Sequence, residues 1–418
     1  MNQHAFQPAT PGIVLIPEDV DTRPDAELVE ALKNPAPVRH ERNVWGFWNS
    51  GWDTMKPWTQ RNVLGWIRRQ GPSWDVRILD MVPGSAANVQ EHANSAINFV
   101  PPQYLPECFK NNTMDGPTKG QHSSDLARLP LLYLYGGVWL DVGSLLFRRF
   151  DDIIWRDLED PASPFEMGMS LFQMRKYPGQ ALTGFIAARK GNPFIERWMK
   201  VSLELWKDRT NCFGLHEHPL IKPLGTMVPP DWQETDRPRN IDMGGSGEAF
   251  DLGILTDYLA LNMAYERVRL LIDEDGWDGP AYYRTRVHFI DTFDEIMKSL
   301  EMMLQDELFP LLSLPFEPDS SEPQQMKAAE YVGHVLANCS IGKHPQGHWQ
   351  PGNRIPLAMS WGMPGNENAD IKEGTWSEYM RWASLFCEQT RYRGQCLPSL
   401  KLGKEKDSII KGALLKAD

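Results

Sequence analysis

The run Ser124-Asp-Leu-Ala-Arg-Leu-Pro-Leu-Leu-Tyr-Leu-Tyr-Gly-Gly-Val-Trp-Leu-Asp141 constrains this chain more than any other stretch. Leu126, Leu129, Leu132 and Tyr133 recur at helical spacing, with Ser124 as a suitable N-cap and Gly136-Gly137 as the stop. Pro130 is expected to kink the helix. Val138 to Val142 then reads as a short apolar strand that delivers Asp141 to its C-terminal end, where open α/β sheets place their ligands. Asp125 and Arg128 are three residues apart and project from one side of the helix. The glycine turn returns the chain toward that side, so Ser124, Gly136 and Gly137 join the predicted site. A carboxylate, a guanidinium and a strand-end carboxylate together suit a ribose hydroxyl, a phosphate and a divalent metal. Asp141 on an apolar strand also needs a partner, because an unpaired buried carboxylate is costly.

The flanking pattern agrees with this local reading. Asn43 to Trp48 is rich in β-formers and predicts a first core strand. Trp58 to Gln70 suits a helix ended by Gly71-Pro72, and Trp74 to Asp80 a second strand, so the order strand, helix, strand marks a parallel α/β unit. Phe185 to Ala188 predicts a later strand, and Pro193 to Asp208 a helix with proline in its first turn. Further helices are expected over Asp25 to Lys33, Ile254 to Tyr265, Ser321 to Asn338 and Thr375 to Thr390. The expected organisation is an N-terminal arm over 1–40, a catalytic domain over 41–300 and a C-terminal extension over 301–418, mostly helical or irregular, packed on that domain.

Composition narrows the function. A formal charge of −12 argues against a protein that coats DNA, since phosphate binding needs clustered cations. The five cysteines are scattered and form no CxxC pair, which excludes the usual zinc and redox patterns and favours a reducing compartment. No basic, apolar leader opens the chain, and its longest apolar stretch is interrupted by Arg128, Gly136-Gly137 and Asp141, so a cytoplasmic protein without a membrane partner is expected. The 16 tryptophans are many, and a large aromatic residue needs apolar walls and a partner for its N–H. Trp45, Trp48 and Trp139 stand at strand positions, where core packing is expected for one or two and a base-stacking ring for another, with Trp45 and Trp48 as the candidates to bind substrate. Asp151 and Asp152 are candidates to line the cleft. His216-Glu-His218 and His344 with His348 have metal-compatible spacings but fall in loops. Asp273-Glu-Asp275 reads as a solvated turn.

The Ser-Asp, Arg, Gly-Gly and Asp141 pattern, with Val44-Trp-Gly-Phe-Trp48, Gly51, Pro57, the strand from Trp74 and Gly184-Phe-Ile-Ala-Ala-Arg-Lys-Gly-Asn-Pro193, resembles the core of capsular-polysaccharide-synthesis-type and initiating-mannosyltransferase-type glycosyltransferases. The resemblance covers residues 43–210. It implies a nucleotide-diphospho-sugar transferase fold of the glycosyltransferase A type, with a central mixed sheet flanked by helices. It further implies that Asp125 and Arg128 hold the nucleotide end of a sugar donor, and that an Asp-x-Asp pair binds Mn²⁺ or Mg²⁺ at the diphosphate. Here that motif is degenerate, Asp141-Val142-Gly143, which leaves Asp141 as a weak metal site that would depend on the diphosphate, water and a late residue such as His288 or Asp291. The implied activity is sugar transfer to a small-molecule acceptor in the cytosol. A looser resemblance, to fungal arginine-containing cyclodipeptide synthases of secondary metabolism, implies aminoacyl transfer from tRNA without a cofactor, Asp141 with Asp151 or Asp152 receiving the arginine. The missing aspartate also leaves open a non-catalytic binding protein.

Overall fold

Three consecutive strands set the plan of the molecule, because the third returns to the far side of the first. A computed structural model of the chain describes residues 5–16, 20–90, 99–173, 178–227, 252–298, 305–344, 355–402 and 409–417. Strand β1 (Ile13–Leu15) and helix α1 (Asp25–Lys33) precede β2 (Asn43–Phe47), α2 (Pro57–Gln70) and β3 (Asp75–Leu79). Helix α3 (Lys119–Tyr135) leads through Gly136 into β4 (Gly137–Leu140), followed by β5 (Ser144–Leu146), β6 (Met167–Gln173), β7 (Pro178–Ala188) and α4 (Pro193–Leu205). Helices α5 (Leu252–Tyr258) and α6 (Ala260–Leu270) come next, with β8 (Leu271–Asp273) and β9 (Val287–Asp291) behind them. The C-terminal part holds α7 (Pro323–Asn338), β10 (Ile341–Lys343), α8 (Trp376–Phe386), β11 (Cys387–Gln389) and β12 (Ile410–Gly412).

The six-stranded sheet has the order β3-β2-β4-β7-β6-β9. β2 pairs in parallel with β3 and with β4, β7 runs antiparallel to β4 and to β6, and β9 is parallel to β6. The sheet is therefore mixed, as expected. β3 and β4 leave β2 on opposite sides, so the C-terminal ends of β2 and β4 are a topological switch point, the crevice where such sheets usually hold their ligands.

Alternation along the strands fills both faces. Trp45, Leu79, Trp139 and Ile186 enter one core with Leu129, Leu132, Trp198 and Tyr265, whereas Val44, Ile78, Val138, Leu140 and Phe185 enter another with Trp66, Phe150 and Trp155. A third core joins Trp58, Leu145 and Phe147 to Leu336, Trp376 and Trp382. Sheet pairs tie the chain ends in as well, since β1 pairs with β11, β5 with β10, and β12 with β8.

Helix α3 begins at Lys119, five residues before the expected cap, so Ser124 lies inside it. Its first turns, Lys-Gly-Gln-His-Ser, lack apolar periodicity, yet His122 and Ser123 are buried by tertiary packing. The expected Ile254 to Tyr265 helix is instead two, α5 and α6, meeting at Leu259. Among the described residues no helix is long and apolar enough to cross a membrane.

Candidate functional site

Asp141 follows the last residue of β4, and its backbone N–H still donates to the Gly184 carbonyl of β7 at 3.0 Å. The side chain is thereby held at the mouth of the crevice. Trp139, two residues earlier on the same strand face, donates its indole N–H to Asp141 Oδ1 at 3.0 Å. The Arg128 guanidinium lies over the Trp139 ring, 4.9 Å from its centre, and 3.7 Å from Asp141 Oδ1. Arg128 also pairs with Asp125 at 2.8 Å, donates to the Thr183 carbonyl at 2.7 Å and reaches Ser124 Oγ at 3.2 Å. Helix α3, β4 and β7 are thus braced together by one side chain.

The second Asp141 oxygen, Oδ2, accepts from Lys343 Nζ at the end of β10. Lys343 reaches it because β10 pairs with β5, Lys343 opposite Ser144, just beyond the site strand. Gly184 makes room: a Cβ there would stand 2.5 Å from Lys343 Nζ and 2.6 Å from Asp141 Oδ2. On the other flank Asp125 lies 3.5 Å from His122 Nδ1. Side-chain exposure separates the group into parts, with Asp141 at 30%, Asp125 at 17%, Lys343 at 14% and Arg128 at 5%. The first three present side-chain surface, whereas Arg128 is enclosed among its partners.

The electrostatics follow from this packing. Burial by itself would raise the Asp141 pKa, but the Lys343 and Arg128 charges, with hydrogen bonds from Lys343 and Trp139, hold it well below the usual carboxylate range. Burial disfavours a charged His122, yet the bond to Asp125, with a contribution from Cys212, raises it to about 9. Burial pushes Tyr258 up to about 12, helped by the Asp125 and Asp141 charges, so it stands by as a neutral phenol.

Several expected site residues lie elsewhere. Gly136 and Gly137 sit at the opposite end of β4 from Asp141, where their φ angles of +69° and +106° carry the chain past Asn43 and Glu41. Trp45 is fully buried and donates its indole N–H to the Gly136 carbonyl at 2.8 Å, so it is a core residue rather than a stacking platform. Asp151 accepts from the Trp74 indole at 2.9 Å and pairs with Arg42 at 2.9 Å, next to the N-terminal end of β3. Asp152 pairs with Arg156 at 3.0 Å and is equally remote from the strand ends. His288 is fully buried on β9, 2.8 Å from Asp157. Three strand spacings separate β9 from β4, roughly 14 Å, too far for one ion to bind both residues. Trp48 does follow the C-terminal end of β2, half-buried, with its indole N–H on Thr54 Oγ1 at 3.1 Å.

The chemistry of the described donors does not fit a divalent cation beside Asp141. Gly143 has no side chain to offer, and an ion there would face an ammonium and a guanidinium already attached to the single carboxylate. Among the described residues no three His, Cys, Asp or Glu side chains gather in a way that would hold a metal. His216 instead pairs with Asp257 at 2.8 Å, and His344 is buried, while His348 lies outside the described residues.

Lys343, His122 and Tyr258 are the neighbours that sequence reasoning missed. Trp139, expected to pack in the core or to stack on a base, packs in the core and in addition donates to Asp141. Lys343 is 202 residues from Asp141 and carries no local signal.

Comparison with known proteins gives a consistent family. A model described as capsular polysaccharide synthesis protein matches residues 25–214. O-glycosyltransferase braB of Annulohypoxylon truncatum is 39% identical over 97% of this chain and 93% of its own length. Glycosyltransferase afumC of Aspergillus fumigatus is 39% identical over 94% of this chain and 95% of its own. O-glycosyltransferase PaGT of Phomopsis amygdali is 35% identical over 90% and 89% respectively. A solved structure, PaToxG Glycosyltransferase, is matched at 14% identity over 44% of this chain and 67% of that one, with a TM-score of 0.29.

Proposed function

The chain belongs to the glycosyltransferase family of these fungal relatives and is a transferase, and on that premise we propose that it moves a sugar from a nucleotide-diphosphate donor to the hydroxyl oxygen of a small-molecule acceptor. The observation that carries this reading is the meeting of Asp125, Arg128 and Asp141 at the strand-end crevice of a chain matched along nearly its whole length by named glycosyltransferases. The names of two relatives specify transfer to oxygen, which supports a hydroxyl acceptor.

In this reaction the acceptor oxygen bonds to the anomeric carbon as the bond from that carbon to the phosphate oxygen breaks. The nucleoside diphosphate leaves with the electron pair, and the hydroxyl proton passes to solvent or to the leaving group. Positioning and stabilisation of the leaving charge are the main demands. Asp125, at the edge of the crevice, accepts from a ribose hydroxyl. Arg128 fixes Asp125 and Asp141 at one spacing, and Asp141 orients the groups that meet the phosphates. A glycosyltransferase A type fold and a cytosolic setting are parts of the same reading.

The test is mass spectrometry of reactions in which purified protein is offered a panel of uridine and guanosine diphosphate sugars with small hydroxylated acceptors. A product heavier by one sugar residue, formed only with a nucleotide sugar, is expected. A parallel reaction with charged tRNA should give no cyclic dipeptide, and product there but none from nucleotide sugars would overturn the proposal. The relatives named above favour the sugar over the aminoacyl reading.

A further inference from the structure

Five charged side chains form a continuous line across the crevice: His122, Asp125, Arg128, Asp141 and Lys343. Cations and carboxylates alternate along it, so with His122 protonated the line holds three positive and two negative groups, one net positive charge at the strand ends. Its Lys343 end meets Asp141, and Gly143 stands where the motif implied by the resemblance has a second aspartate beside a divalent ion. The exchange conserves charge. Two carboxylates and a doubly charged ion sum to zero, as do one carboxylate and one ammonium.

The packing around the pair is built for it. Gly184 lacks the Cβ that would press on both Lys343 Nζ and Asp141 Oδ2. At Gly143 a Cβ would come 3.2 Å from the His344 carbonyl, so an aspartate there would crowd the strand that carries Lys343. The Gly143 carbonyl accepts the His344 N–H at 3.0 Å, which fixes β10 to the loop after Asp141. Lys343 is still 14% exposed, so two of its three ammonium protons can face the crevice while one is held by Asp141.

We infer that Lys343, held by Asp141, takes the place of a divalent metal and binds the diphosphate of the donor, stabilising it as it leaves. This rests on the donor reading above and deepens it. An ammonium aimed at the phosphate oxygens supplies charge-assisted hydrogen bonds inside a partly desolvated site, where they count for more than in water. Lys343 forms no covalent bond, and the electron pair of the broken bond leaves with the diphosphate. It offsets the negative charge that the phosphate oxygen gains when the glycosidic bond breaks.

The experiment is calorimetric titration of the full chain with UDP and with GDP, each in EDTA and in excess Mn²⁺. One of the two nucleotides is expected to bind equally well in both buffers. Lys343→Met should weaken that binding by about tenfold or more, and Lys343→Arg, which keeps the charge, should retain most of it. Thermal melting checks that each variant is folded, and Lys343→Gln serves if Lys343→Met is not. Binding that vanishes in EDTA and is untouched by Lys343→Met overturns the inference and leaves the donor reading standing. Binding of neither nucleotide in either buffer overturns the donor reading, and the inference with it.

Discussion

Asp141 remains ionised at the crevice because Lys343 and Trp139 donate to it and the Arg128 guanidinium stands 3.7 Å away. Asp141→Ala should lower turnover by about 10² or more while the far-ultraviolet spectrum stays unchanged, since the carboxylate serves the crevice more than the core. Full turnover in a soluble variant would take Asp141 out of the site. Arg128→Lys should be nearly as damaging, because an ammonium cannot reach Asp125, Ser124 Oγ and the Thr183 carbonyl together. Its signature is a fall in kcat with little change in KM, as befits a brace rather than a ligand-binding group. His122 supplies a pH dependence. Its pKa is raised to about 9 in the folded chain, so its contribution to stability is complete below about 6.5 and is lost as the pH rises through 9. His344 has the opposite sense: burial, with Arg381 nearby, lowers it to about 3, so stability falls as the pH drops from about 6.5 toward that value. Melting temperatures of wild type and His122→Gln across pH 6 to 10 should converge at the alkaline end; parallel curves would remove His122 from the ion-pair line.

Strands and helices explain which parts of the site the sequence could reveal. β2, β3 and β4 are short, apolar and bounded by glycine or polar turns, and α2 and α4 have clear apolar faces, so period and punctuation place them within one to three residues. Strand-end geometry then makes Asp141 legible, and spacing on α3 does the same for Asp125 and Arg128. The same reasoning drew in Gly136-Gly137 wrongly, because a turn that brings two elements together lies at the end of the strand away from the ligand. Its glycines serve the backbone: a Cβ on Gly137 would collide with the Asn43 carbonyl, and its φ of +106° strains any other residue. Gly137→Ala should therefore cost about 2 kcal/mol or more, read as a lower urea midpoint. Asp151 misled for another reason. Acidic pairs near a core strand look alike in sequence whether they face a cleft or, as here, an arginine and an indole.

At the scale of the whole molecule the C-terminal part completes the site rather than decorating it. β10 brings Lys343 to Asp141, and β11 pairs with β1, so the N-terminal strand is tied to the same C-terminal part. Nothing in 301–418 marks this in sequence, because a residue that meets its partner across 202 positions has no period or motif to display it. A buried ion pair holds the arrangement. Asp370 is fully buried and binds Arg61 of α2 and Arg381 of α8. Removing the charge leaves Arg381 buried without its carboxylate, so Asp370→Asn should destabilise the fold by about 3 kcal/mol, seen as an earlier urea transition. An unchanged midpoint would show that the third core alone fixes the C-terminal helices.

Sugar transfer from a nucleotide-diphosphate donor is most directly tested by counting both products of one reaction. Purified wild-type chain and Asp141→Ala are each given the donor and acceptor found by the panel, and nucleoside diphosphate and glycosylated acceptor are quantified together. One nucleoside diphosphate released for each sugar transferred is expected from the wild type, with both lost in Asp141→Ala. Product without nucleotide release, or undiminished release and transfer in Asp141→Ala, would refute the assignment of this crevice to the reaction.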